Sequence, residues 1–132
     1  MKSAAAAAVQ HPIRVLIVDD EPLFREMVET LLDVEEGVEV VGRAQHGEQG
    51  VKLAQELDPD VIVMDISMPV MDGLAATREI REQDPDALVL ILSGGTSVTD
   101  VDKARVAGAA GYMSKDHIAA ELVAEIRNLG AK

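Results

Sequence analysis

Short apolar runs recur along the chain, each too brief for a buried helix: IRVLIV (13–18), VEVVG (38–42), VIVM (61–64), ALVLIL (87–92) and AAGYM (109–113). They do not alternate with polar residues. Near-continuous Val, Ile and Leu at that length predicts strands buried on both faces of a parallel sheet. The segments between them carry helical spacing. From Pro22 to Val34, residues Phe24, Met27, Val28, Leu31 and Leu32 fall on one face, read as core, and Pro22 suits a first helical turn. Weaker patterns cover Glu48 to Leu57, Leu74 to Gln83, and Thr99 to Ala107, where Ser97 and Asp100 have capping-box spacing. A last stripe joins Ile118, Leu122, Ile126 and Leu129. Five strand-then-helix units predict an α/β fold, a doubly wound parallel five-stranded sheet with right-handed crossovers. The expected organisation is one domain over 13–129, with a flexible N-terminal tail at 1–12 and a C-terminal tail at 130–132.

In such a sheet, ligands bind beyond the carboxyl ends of the strands, where the strand order switches. The polar residues expected there are Asp19, Asp20 and Glu21 after the first strand, Asp65 after the third, Ser93 after the fourth and Lys115 after the fifth. Crowded carboxylates repel one another unless a cation neutralises them. An oxygen-only donor set, without His or Cys, favours Mg²⁺. Lys115 offers further positive charge and Ser93 a neutral hydrogen bond to a phosphate oxygen. An aspartate can be a covalent nucleophile toward phosphorus. Asp65, the solitary acid between a strand and the turn SMPVMDG, is the best placed for that role, and Asp20 is better placed to hold metal.

Composition narrows the reading. With 24 acidic against 12 basic residues the net charge is −12, so the chain would repel a phosphate backbone and no nucleic-acid binding is expected of it. Cysteine is absent, which excludes disulfides and thiolate metal sites. No window approaches the ~20 apolar residues of a membrane span, and the run from Ala4 to Val9 is shorter than a signal-peptide core of ~7 to 15 residues. A cytoplasmic location and no membrane partner are therefore expected. Phe24 and Tyr112 are the only aromatics, too few for base stacking, and so isolated that each invites a specific role. His11, His46 and His117 are scattered and read as solvated loop residues. Glu21 reads as an acid favoured by the dipole at the start of the first helix.

Taken together, VLIVDDE, VMDISMPVMDG, Ser93 and GYMSKD resemble the receiver domain of two-component response regulators over residues 13 to 129. The resemblance implies a flavodoxin-like (βα)5 fold with strand order 2-1-3-4-5. Matched position by position, it implies Asp65 as phosphoacceptor, Asp20 as direct Mg²⁺ ligand, Asp19 as an acid reaching the metal through water, and Ser67 as a backbone carbonyl ligand. It makes Ser93 the switch hydroxyl, Lys115 the lysine that contacts the phosphoryl group, and Tyr112 the aromatic whose rotamer reports phosphorylation to the face of the fourth helix, fifth strand and fifth helix. The implied donor is a sensor histidine kinase or phosphotransfer protein, docking on exposed residues of the first helix such as Arg25 and Glu29. The implied output is a changed conformation acting on a partner, on transcription, or through a homodimer formed on phosphorylation.

The chain departs from the family pattern at Ser67, where an amide or acid is common, and at Gly95, which has no side chain; small residues at both imply open access to the phosphoryl group. Gly94 and Gly95 together imply a loose loop. Asp116 stands where many receivers have proline, and with VVGRAQHGEQG this is similar to the NarL/FixJ branch, whose members commonly carry a DNA-binding output domain that these residues do not contain. Two other classes stay open: a phosphohydrolase with an aspartate nucleophile, disfavoured because Ser67 stands where that class needs a second acid, and a folded interaction module that is never phosphorylated, disfavoured by Asp20, Asp65, Ser93 and Lys115. A nucleotide-binding domain lacks its glycine motif.

Overall fold

A computed structural model of the chain describes residues 11–94 and 98–131. Its elements in chain order are β1 (Ile13–Val18), α1 (Pro22–Asp33), β2 (Val38–Ala44), α2 (Gly47–Leu57), β3 (Val61–Asp65), α3 (Gly73–Gln83), β4 (Val89–Ser93), α4 (Val98–Ala107), β5 (Gly111–Ser114), a 3-10 turn (Lys115–His117) and α5 (Ile118–Gly130). The five strands form one parallel sheet in the order β2-β1-β3-β4-β5, the expected topology. Among the described residues no helix is long and apolar enough to cross a membrane.

The lack of alternation in the strands follows from two apolar layers. Val15, Ile17, Val61, Val63, Leu90, Leu92 and Met113 pack toward α1 and α5, beneath Val28, Leu32, Ile118, Leu122, Ile126 and Leu129. Leu16, Val18, Ile62, Met64, Val89 and Ile91 pack the other way, against Val51 of α2, Ala76 and Ile80 of α3, and Ala104 of α4. Odd and even positions of each central strand thus serve different layers, and both must be apolar.

The boundaries move by a residue or two for local reasons. β4 starts at Val89 because Ala87 is still in a turn, its N–H donating to Asp84 O at 3.1 Å. β5 starts at Gly111 because Gly108, at φ +100°, and Ala109, donating to Ala104 O, still close α4. The stripe of α5 is buried as expected. That of α1 is narrower: Val28 and Leu32 are buried and Phe24 and Leu31 half-buried, but Met27 is 44 % exposed. Successive helical residues diverge by about 100°, so a neighbour of the buried line falls at the rim of the layer. Ser97 of the expected capping box and Gly95 lie outside the described residues.

Candidate functional site

The strand register sets the site. Val18 of β1 pairs with Met64 of β3, so the next residues, Asp19 and Asp65, come level on adjacent strands. Both continue the phase of Ile17 and Val63 and lean toward the α1 and α5 layer. On the other side Asp65 pairs with Leu92, and Ser93 pairs with Ser114, which delivers Lys115 at the end of β5. Lys115 shares the phase of Met113, so it turns to the same side as the two acids.

The contacts follow from that placement. Lys115 Nζ lies 3.0 Å from Asp19 Oδ2 and 3.3 Å from Asp65 Oδ1. Asp19 is 2 % exposed and Asp65 5 %. The second oxygen of Asp19 accepts from Glu21 N–H at 2.8 Å, fixing the turn into α1. Asp65 Oδ1 also accepts a long bond, 3.4 Å, from Ser67 N–H. Asp20 is exposed, and one carboxylate oxygen from each of Asp19, Asp20 and Asp65 lies within 4.8 Å of the others. Burial, and then the charge of Asp19, push the Asp65 carboxyl up to about 6 despite Lys115. Burial alone would lower the Lys115 ammonium, but its hydrogen bond to Asp19 and the charges of Asp65 and Asp19 outweigh it and hold the group above its ordinary value. One ammonium faces two buried carboxylates and a third nearby. That surplus of negative charge and the oxygen-only donors fit a hard divalent cation.

The loop after Asp65 is held by backbone constraints. Met71 N–H donates to Pro69 O at 2.7 Å across Val70, which sits at φ +69°, a strained turn for a β-branched residue. Gly73 N–H donates to Ile66 O, and any Cβ at Gly73 would collide with the Asp65 carbonyl oxygen. Asp72 caps α3, its Oδ1 accepting from Ala75 N–H at 2.8 Å. Of these residues Gly73 is the one whose lack of a side chain the backbone requires.

Ser93 is buried at the end of β4, and Tyr112, half-buried, packs against the α2–α4 layer. Tyr112 also lines a cavity of about 360 Å³ with Val98, Val101, Met113, Ser114, His117 and Glu121. A cavity of about 320 Å³ between the far ends of α2 and α3 is remote from the carboxylates. Where proline is common after Lys115, the N–H of Asp116 instead donates to Ser114 Oγ at 3.2 Å and starts the 3-10 turn.

Several side chains differ from their sequence reading. Arg25 and Glu29 are not free docking residues: Arg25 Nη1 donates to Asp19 O at 2.8 Å, and Glu29 pairs with Arg43. Both are half-buried, while Leu23 and Met27 are exposed apolar side chains of that helix and Glu26 and Thr30 exposed polar ones. His46 is a structural cap, its Nδ1 accepting from Gln49 N–H at 3.2 Å. Glu21 does stand at the start of α1, as its N-cap residue, with no side-chain cap bond. Phe24, placed by its helical spacing on the core face and given no named partner by the sequence, has its ring centroid 4.1 Å from Lys115 Nζ. The signal was present in the sequence: it is the chain's single phenylalanine, one turn after the paired acids.

Residues 15–127 match the response regulator receiver domain family. The chain is 39 % identical over 107 residues to the nitrate/nitrite response regulator protein NarL of Escherichia coli K12, covering 81 % of this chain and 50 % of that protein. It thus spans about half the length of that relative. Among solved structures it is similar to the signal receiver domain of a NarL response regulator from Mycobacterium tuberculosis, with a TM-score of 0.88 and 34 % identity, covering 92 % of this chain and 98 % of that one. A complex of CheX, CheY, BeF3 and Mg²⁺ from Borrelia burgdorferi matches with a TM-score of 0.85 and 27 % identity, covering 92 % of each chain.

Proposed function

The chain belongs to the response regulator receiver domain family, in its NarL/FixJ-like branch, and from that premise we propose that Asp65 accepts the phosphoryl group. The observation that carries this is the buried Asp65 carboxylate at the end of β3, with Lys115 Nζ at 3.3 Å and oxygens of Asp19 and Asp20 close by. An Asp65 oxygen attacks phosphorus, the bond to the donor's imidazole nitrogen breaks, and the imidazole leaves with a proton from water, giving an acyl phosphate. Lys115 presents its ammonium to the phosphoryl oxygens, and Ser93 its hydroxyl. Asp20 and Asp65, with the Ser67 carbonyl, are the residues to hold Mg²⁺, and Asp19, whose oxygens already serve Lys115 and Glu21 N–H, acts through water. Bound there, Mg²⁺ supplies the positive charge that offsets the crowded carboxylates and the incoming phosphoryl oxygens. BeF3 and Mg²⁺ in the CheY complex support this reading by analogy.

The unit so defined is 13–129, acting in the cytoplasm with a sensor histidine kinase or phosphotransfer protein as donor. Its product is a conformation, with phosphorylation and dephosphorylation catalysed by its own residues. Ser93 and Lys115 move toward the dianion and Tyr112 turns, remodelling the α4, β5 and α5 face. Exposed Val98 and Val101 beside the Tyr112 cavity suit a partner there, including a homodimer on phosphorylation. The test is intact mass after incubation with acetyl phosphate and Mg²⁺. One phosphoryl group is gained by the wild type and none by Asp65→Asn; no gain by the wild type overturns the reading.

A further inference from the structure

We propose that Phe24 is a positioning residue for phosphoryl transfer: its ring face seats the Lys115 ammonium between Asp19 and Asp65. This rests on the reading of Lys115 as the phosphoryl contact.

The ammonium has three N–H donors on a flexible four-carbon stem. Two directions are taken by Asp19 Oδ2 at 3.0 Å and Asp65 Oδ1 at 3.3 Å, and the Phe24 ring lies against it with the centroid 4.1 Å away. That distance is well inside the range in which a ring quadrupole attracts a cation. The seat differs in kind from the acids. A third carboxylate there would cancel the charge the phosphoryl group needs and compete for the N–H donors. A benzene ring attracts the cation yet carries no net charge and no oxygen lone pair, so the ammonium is steered and keeps its charge.

The seat is itself fixed. Pro22 opens α1, which places Phe24 in its first turn, half-buried against the apolar layer of Ile17, Val63 and Leu92. Next to it Arg25 Nη1 donates to the Asp19 carbonyl at 2.8 Å and ties that turn to the end of β1, the strand that delivers Asp19. The ring, the acid and the ammonium are thus referenced to one backbone point. The Lys115 side chain is 21 % exposed, so without the ring it has a route into water and more rotamers to lose on binding.

The test combines a structural and a kinetic readout on the full chain. In the Mg²⁺-free protein the Lys115 ε-methylene protons should show an upfield ring-current shift by NMR, lost in Phe24→Leu and kept in Phe24→Tyr. With acetyl phosphate and saturating Mg²⁺, Phe24→Leu should be phosphorylated about three- to tenfold more slowly, the effect of a partly exposed to desolvated cation–π contact, and Phe24→Tyr should recover the rate. Replacing Phe24 by phenylalanines of increasing fluorination weakens the quadrupole at nearly constant shape, and the rate should fall with each step. Wild-type rates across the fluorinated series, with Lys115→Met slow, would overturn the role of Phe24 and leave Lys115 standing. Wild-type rates in Lys115→Met would remove the reading of Lys115 on which the proposal depends.

Discussion

The two edges of the sheet treat their charges in opposite ways. At the amino edge, acids and bases are exposed or partly so and serve the backbone: Arg14 donates to the carbonyls of Leu57 and Asp58, its own N–H is taken by Asp60, and Asp84 accepts from Asp86 N–H. At the carboxyl edge, Asp19 and Asp65 are buried and share one ammonium. The first arrangement satisfies backbone groups and closes helix ends. The second leaves a surplus of negative charge inside the protein, which is a cost to folding and, on the function proposed above, a preparation for a cation and a phosphoryl group. The same residue types satisfy backbone groups at one edge and crowd one another at the other because of burial and partner, not identity.

Four substitutions and one ligand change sharpen that contrast. The largest effect is expected from Lys115→Met, which removes the cation facing both buried acids: phosphorylation by acetyl phosphate should slow on the order of a hundredfold, the scale of losing one preorganised charge-stabilising donor. A rate within a factor of two of wild type would erase the distinction between the edges.

Asp65→Asn should stabilise the Mg²⁺-free protein. Its carboxyl titrates near 6 in the fold against 3.8 ordinarily, so the native state holds its proton more tightly than the unfolded chain. The stability from that proton is fully present below about pH 4 and is lost as pH rises through about 6. At pH 8, Asp65→Asn should therefore be more stable by about 3 kcal/mol, a figure that already includes the attraction to Lys115. The gain should fade toward pH 4. Urea melts at both pH values check it, and a variant less stable than wild type at pH 8 would contradict the strained-edge account.

Mg²⁺ should relieve the same surplus, raising wild-type stability by about 1.4 kcal/mol at ten times its dissociation constant. Thermal melts with and without Mg²⁺ should show the gain in wild type and its loss in Asp20→Asn. At the opposite edge Arg14→Met should cost about 1 kcal/mol, the worth of its hydrogen bonds to the end of α2. Its phosphorylation rate should stay at the wild-type value, measured by the same acetyl phosphate assay.

Much of this was legible in the chain. Runs such as VIVM cannot alternate when a strand is covered on both faces of the sheet, so the strands followed from pattern, while their order was what the resemblance to receiver domains implied. Asp19, Asp65 and Lys115 were found because a parallel sheet brings its strand ends to one edge. What escaped was lateral. Helical spacing shows that Met27 shares a side with Val28 but not how wide the covering layer is. Nothing local to Phe24 shows that a lysine from β5 will lie on its ring, nothing at Arg25 shows that Asp19 will take its guanidinium, and a histidine before a helix reads as solvent-facing until its ring nitrogen is seen to cap it.

The most direct measurement locates the phosphoryl group. After reaction with acetyl phosphate and Mg²⁺, borohydride converts an aspartyl phosphate to homoserine, and peptide mass mapping finds the position. The account predicts homoserine at position 65, dependent on Mg²⁺. Homoserine at position 19 or 20, or at none, would contradict it.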